Sequence, residues 1–152
     1  MARFGVVANI MVMYLDMKIE LIAKTIIFNA DGLLLVLKRH DNDEHRPGLW
    51  DLPGGQVDLG EDPRDAAIRE AHEETGLIIS RLRPIHVASH IHGNCQVIKT
   101  VFTTQSYDGG ITLSHEHSDY KWINAEKFSE LPISDDYKTA VRMTHSHALY
   151  QG

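Results

Sequence analysis

Glu70, Glu73 and Glu74 stand at i, i+3 and i+4, with Glu61 a short way upstream and a glycine pair, Gly54-Gly55, before it. On a helix the three glutamates project from one sector of about 100°. Like charges at that spacing destabilise a helix by roughly 0.2–0.5 kcal/mol per pair even when exposed. Arg69 is the one cation within the cluster and offsets only part of the charge. The simplest missing counter-charge is a hard divalent cation, and an all-oxygen set of ligands favours Mg²⁺, with Mn²⁺ close behind, over Zn²⁺. The plainer alternative is a solvated acidic helix face carrying an ordinary Arg69/Glu73 surface pair. The glycine loop in front of the acids tilts the balance, because free backbone N–H groups around such a loop can face an anion.

The element that must hold these acids has clear ends. Asp62 can accept from the free N–H groups of a helix start, and Pro63 suits the first helical position. Gly76 then supplies the left-handed stop after Thr75. The expected helix therefore covers residues 63–75, and Glu61 lies just ahead of it, able to swing over the same sector.

The run from Gly55 through Glu61 to Arg69-Glu70-Ala71-His72-Glu73-Glu74-Thr75-Gly76-Leu77 resembles the complete box of the Nudix hydrolase family, with five residues before Glu61 and seven after it. Two softer positions are less typical. Ala71 is a small occupant of an aliphatic slot, and Asp58 stands where glutamate is frequent. The resemblance implies an α/β protein of the Nudix α/β/α sandwich type, with a mixed central sheet between the box helix and a C-terminal helix. It implies hydrolysis of the diphosphate linkage of a nucleoside diphosphate derivative by water attack at phosphorus. Metal would be held by Gly54 (through its carbonyl), Glu61, Glu70, Glu73, Glu74 and Glu116, with Arg69 fixing the glutamates by ion pairing. Glu116 enters because it lies six residues before Trp122, in a stretch similar to the EH-x-x-Y-x-W of many family members. Glu70 and Glu116 are both candidates for the general base, and Glu73 and Glu74 complete the catalytic set. Arg39 falls where MutT-like members place a phosphate-contacting arginine, and Gly55 would bring backbone N–H groups to the same anion.

The lead-in Pro47-Gly48-Leu49-Trp50-Asp51-Leu52-Pro53 resembles that of the nucleotide-cleaning, MutT-like kind, which favours a (deoxy)nucleoside triphosphate or a noncanonical nucleotide as substrate. ADP-ribose or a dinucleoside polyphosphate is the alternative substrate, although His92 occupies the place where ADP-ribose pyrophosphatases carry a proline. A catalytically silent nucleotide sensor or a partner-binding scaffold are the alternatives in other classes, and the intact glutamates speak against the sensor. Trp50, Tyr120 and Trp122 are available to stack on a base or to fill the core.

Composition sets the outer bounds. The chain has 152 residues, enough for one domain with a real core. A formal net charge of −6 argues against non-specific nucleic-acid binding, so the expected partner is a small nucleotide. The single cysteine, Cys95, permits no intrachain disulfide and fits a reducing cytoplasm. No apolar run reaches the length of about 20 residues that a membrane span needs. Oligomeric state is left open between monomer and homodimer. Residues 1–16 read as an extension, an extra strand or partner-contacting arm, ahead of a Nudix domain over 17–152.

Elsewhere, residues 19–29 and 33–39 read as strands joined by a hairpin turn at Ala30-Asp31-Gly32. Residues 77–91 and 96–105 read as two further strands, with Pro84 interrupting the first or marking its start. Tyr107-Asp108-Gly109-Gly110 reads as a turn. A short helix is expected from Ala125 and a last one over 134–150, with Tyr137, Ala140, Val141 and Ala148 inward. His86, His90 and His92 fall on one face of a strand near Cys95, which leaves either a zinc site or an exposed histidine set; no second ligand pair is evident.

Overall fold

The computed structural model describes residues 16–44 and 46–148, the last three of them through their backbone. The run of apolar and β-branched residues after Met17 forms β1 (Lys18–Ile27), and the next forms β2 (Leu34–Arg39). Two short strands follow, β3 (Trp50–Asp51) and β4 (Gly54–Gln56), then the box helix α1 (Pro63–Thr75). The chain continues through β5 (Ile78–Ser80), β6 (Arg83–His92), β7 (Cys95–Thr104), β8 (Ser106–Asp108) and β9 (His117–Ile123). It ends in α2 (Ala125–Glu130) and α3 (Asp135–Ala148).

The sheet is mixed, as expected, and divided. β4-β1-β7-β6 form one part, β3-β2-β9 a second and β5-β8 a small third. β1 runs parallel to β7 over ten residue pairs and antiparallel to β4. Alternation along β1 and β2 feeds two cores. Ala23, Ile27, Leu35 and Leu37 meet Ala66, Ala67 and Ala71 of α1 on one side. Ile26, Leu34 and Val36 meet Tyr137, Ala140 and Val141 of α3 on the other. That is the α/β/α sandwich, and small alanines on α1 let the helix lie close to the sheet.

The helix ends behave as their residue types dictate. The Asp62 side chain accepts from the Arg64 N–H, and Gly76 has φ 74 while its N–H donates to the His72 carbonyl. Ala71, atypically small, is fully buried against the sheet. α2 begins at Ala125 as read, capped by Asn124, and α3 begins at Asp135. Tyr137, Ala140 and Val141 are buried as expected, and the side chain of Ala148, also read as inward, lies outside what is described.

One expectation needs correction. Ala30-Asp31-Gly32 do make the turn, with the Asn29 side chain accepting from the N–H groups of Asp31 and Leu33. The flanking strands do not form a hairpin ladder. After the single bridge Phe28–Leu34 they separate into different parts of the sheet. The backbone groups of β1 are taken by β7 and β4, and those of β2 by β9 and β3. A further refinement concerns Pro84, which sits near the start of β6 beside a register shift. The turn read at 107–110 is narrower, since Tyr107 and Asp108 belong to β8. His86, His90 and His92 lie on edge strand β6, His90 and His92 exposed, and no metal-holding group of His, Cys, Asp or Glu occurs among the described residues. The extension at 1–16 falls outside the described residues except Asp16, whose carbonyl accepts from the Asn94 side chain. No helix among the described residues is long and apolar enough to cross a membrane.

Candidate active site

The glycine pair opens β4 because nothing larger fits there. At Gly54, with φ 128, an added Cβ would overlap the Ala23 carbonyl oxygen. At Gly55 it would lie 2.6 Å from the Glu70 carboxyl carbon. Gly54 thus lets β4 lie against β1, and Gly55 lets the Glu70 carboxylate of α1 come up to β4 across the space of one methyl group. Gly55→Ala displaces only the end of a flexible side chain, so a modest loss of thermal stability is expected beside a much larger loss of kcat. Melting curves and steady-state kinetics on the same preparation check this, and a parallel loss of both would contradict it.

Around that notch lies a cavity of about 480 Å³. Gly54, Gly55, Glu70, Glu74, Glu116 and Arg39 all line it, although they come from four separate stretches of chain. Glu61 and Glu73 do not. Instead both hold Arg69, whose Nε and Nη2 donate to Glu61 at 2.8 and 2.9 Å and whose Nη1 donates to Glu70 at 2.7 Å and Glu73 at 3.3 Å. The hydrogen bonds from Arg69, joined by the Asp58 N–H, hold the Glu61 carboxyl down to about 2. Arg69 thus hydrogen-bonds three box glutamates, as the ion-pairing reading expects, and has Asp58 as a fourth carboxylate at 3.8 Å. Arg39 is fixed in the wall by Asp43, with Nη2 at 2.6 Å. Trp50, Tyr120 and Trp122 do not line the cavity; Trp122 stacks on Tyr107 at 5.8 Å, and the aromatic wall is Tyr137.

Three contributors escaped the sequence reading. Lys24 and Asp51 are 4% and 3% exposed and pair at 3.0 Å. The Lys24 ammonium also donates to the carbonyls of Leu52, at 3.1 Å, and Gly54, at 2.6 Å. Burial opposes its charge, but Asp51 and Glu74 outweigh that and hold its pKa above the ordinary value. The available signal was a lysine inside the apolar run of β1, a residue type that is rarely buried unless paired. His117 is the third, 5% exposed, with Nε2 3.9 Å from Glu74 Oε1 and a buried Nδ1 that has no partner.

Glu74 is buried and accepts the Gly54 N–H at 2.7 Å. Burial pushes its carboxyl up to about 7, against the pull of Lys24 and that N–H. Burial, with the charges of Arg39 and Lys24, pushes His117 down to about 4. The signs oppose. Glu74 has a raised native pKa, so its contribution to stability is full below 4.5 and lost as pH rises through about 7. His117 has a lowered one, so its contribution is full above 6.5 and lost as pH falls through about 4. Metal-free protein should therefore show little change in Tm between these limits. His117→Gln should leave a Tm that rises on acidification from 7 to 4.5, and Glu74→Gln one that falls from 6.5 to 4. The same slope in both variants would contradict this balance.

The donor set suits a hard cation. Glu70, Glu74 and Glu116 offer carboxylate oxygens and the missing Cβ of Gly55 keeps the space between strand and helix open, while the Gly54 carbonyl, the main-chain donor expected from the sequence, already accepts from the Lys24 ammonium at 2.6 Å. Among the described residues no three acidic or imidazole groups converge by themselves, because Glu70 and Glu73 are turned to Arg69.

Comparison with known proteins agrees with this fold. The NUDIX domain model matches residues 20–143. The nucleoside triphosphatase NudI of Salmonella arizonae is 34% identical over an alignment of 110 residues that covers 65% of this chain and 78% of that protein. Among solved structures, the MutT protein of Methanosarcina mazei Go1 superposes with a TM-score of 0.76 at 26% identity, covering 86% of this chain and 96% of that one. A C. elegans Ap4A hydrolase shares the fold, with a TM-score of 0.66 at 23% identity over 86% of this chain and 98% of its own. Nudix hydrolases generally use divalent metal ions. With the box on α1, the mixed sheet and the matched span in agreement, this chain belongs to the Nudix hydrolase family.

Proposed function

We propose that this protein is a Mg²⁺-dependent pyrophosphohydrolase, with Mn²⁺ as a substitute, acting on a (deoxy)nucleoside triphosphate or a noncanonical nucleotide. The observation that carries the reading is the convergence of Glu70, Glu74, Glu116 and the glycine pair with Arg39 and Arg46 in one cavity. It pairs oxygen donors for a cation with guanidinium groups for phosphate oxygens. The nucleoside triphosphatase and MutT names of its relatives support the same class of substrate.

Hydrolysis of a triphosphate needs neutralised charge and a positioned water. When bound, the cation supplies charge neutralisation and a more acidic water. Glu70, Glu74 and Glu116, which line the cavity, would hold it, joined by the Gly54 carbonyl through its second lone pair, while Glu61 and Glu73, outside that lining, would act through Arg69. Arg39, stiffened by Asp43, would orient phosphate oxygens, and Gly55, whose backbone is paired with Ala23 of β1, would contribute the room that its missing side chain leaves. Glu70 or Glu116 would take the proton from water as its oxygen bonds to phosphorus. The bridging P–O bond then breaks and the leaving oxygen departs on pyrophosphate, giving a nucleoside monophosphate. The cytoplasm, free nucleotides and a monomer or homodimer complete the reading.

A nucleotide panel with Mg²⁺, scored for pyrophosphate against phosphate, tests it. The expected result is pyrophosphate release from a nucleoside triphosphate, abolished by chelation. Turnover confined to ADP-ribose or dinucleoside polyphosphates, or turnover indifferent to chelator, would overturn it.

A further inference from the structure

A larger cavity, about 680 Å³, lies at the opposite end of β1 and shares no lining residue with the active site. Phe28 on its wall is four residues beyond Lys24, about 13 Å along the strand. Two arginines, Arg81 and Arg83, face into it, and no Asp or Glu lines it, in a chain whose formal net charge is −6. Among the described residues neither guanidinium is within ion-pair distance of a carboxylate.

The corner between β5 and β6 explains how the pair is presented. Ile79 and Leu82 are both buried in the core beside α1, and the chain turns between them. Arg81 makes that turn with φ 53, the one non-glycine residue at positive φ among those described. Residues other than glycine, Asn and Asp seldom adopt this conformation, and where they do the surroundings impose it. Leu82 is buried, while Arg81 and Arg83 on either side of it are exposed and both line the cavity. Thr104 locks the wall beneath them, donating to the Ser80 carbonyl at 2.6 Å and accepting from the Ser106 N–H at 3.0 Å. Thr103, the cross-strand partner of Arg83, adds a hydroxyl-bearing side chain. His145 closes the far side, its ring edge-on to Phe28 at 6.5 Å.

We propose that this cavity is a second binding site, separate from the catalytic one, for a phosphate ester of a small organic molecule. Two guanidinium forks match phosphate oxygens, and hydroxyl and aromatic surface is available to the organic part. The volume lies within the range of small-molecule sites and far exceeds one phosphate. This site goes beyond the hydrolase reading and does not depend on it.

The test uses the full chain with chelator present, so that no divalent ion assists binding at the catalytic cavity. AMP is titrated by calorimetry at low salt, with inorganic phosphate and adenosine as the comparison probes. Saturable AMP binding is expected, tighter than either comparison. R81G/R83Q should weaken it by about tenfold or more, glycine keeping the positive φ of the corner. The single R83Q, at an exposed position, should fold normally and weaken it too, while R39Q should leave it unchanged. Absence of saturable binding, phosphate binding as tightly as AMP, or loss in R39Q with retention in R81G/R83Q would each overturn the proposal.

Discussion

Glu74→Gln is expected to lower kcat/KM by about a hundredfold or more, roughly 3 kcal/mol of transition-state stabilisation, while the protein stays folded. The reason lies in what glutamine keeps and what it loses. Its amide oxygen can still accept the Gly54 N–H that Glu74 Oε2 accepts at 2.7 Å, so the junction of β4 and α1 is preserved. The negative charge is lost, and with it a buried carboxylate that lines the cavity. A second readout is independent of turnover. Mg²⁺ or Mn²⁺ should raise the Tm of the wild type, since a ligand that binds only the native state stabilises it, and should do so far less in the variant. Near-normal turnover, or an undiminished metal-induced shift, would remove Glu74 from the cation site and leave Glu70 and Glu116 to explain catalysis without it.

The other large effect is on stability. Lys24→Met should destabilise the fold by about 3–5 kcal/mol, because removing one partner strands a buried opposite charge. Asp51 would keep only the Leu52 N–H and a 3.4 Å contact from Arg46, and the carbonyls of Leu52 and Gly54 would each lose a donor. For a domain of this size that corresponds to a fall in Tm of about 10 °C. Lys24→Met/Asp51→Asn should recover much of the loss, since it removes the stranded charge while the new amide oxygen can still accept the Leu52 N–H. Thermal melts of the single and double variants check both halves. If Asp51→Asn brought no recovery, the damage would lie in the carbonyl bonds rather than the ion pair.

How far these side chains were legible beforehand follows the range of the interactions that place them. Glu70, Glu73, Glu74, Asp62, Pro63 and Gly76 act within one helix, where 3.6-residue periodicity and capping chemistry are local, and α1 runs over Pro63–Thr75 as expected. The ion pairing of Arg69 with the box glutamates was legible for the same reason. The hairpin failed because its turn is local while its ladder is not. Asp31-Gly32 turns the chain, but the competition for the hydrogen bonds of β1 is won by β7, which contributes ten parallel pairs from more than seventy residues away.

Sequence alone therefore determined the family, the helix that carries the acids, the sandwich class and the residue types available for a cation and a polyphosphate. Tertiary structure alone decided which glutamates share the cavity: Glu70 and Glu74 line it, while Glu61 and Glu73 remain with Arg69 outside its lining. It also decided that Lys24 and Asp51, 27 residues apart, meet beneath the glycine pair, and that Arg81 and Arg83 open onto a second cavity. The reason is physical: helix spacing and caps operate over one or two turns of chain, whereas burial, charge pairing and cavity walls exist only after distant strands have chosen their neighbours.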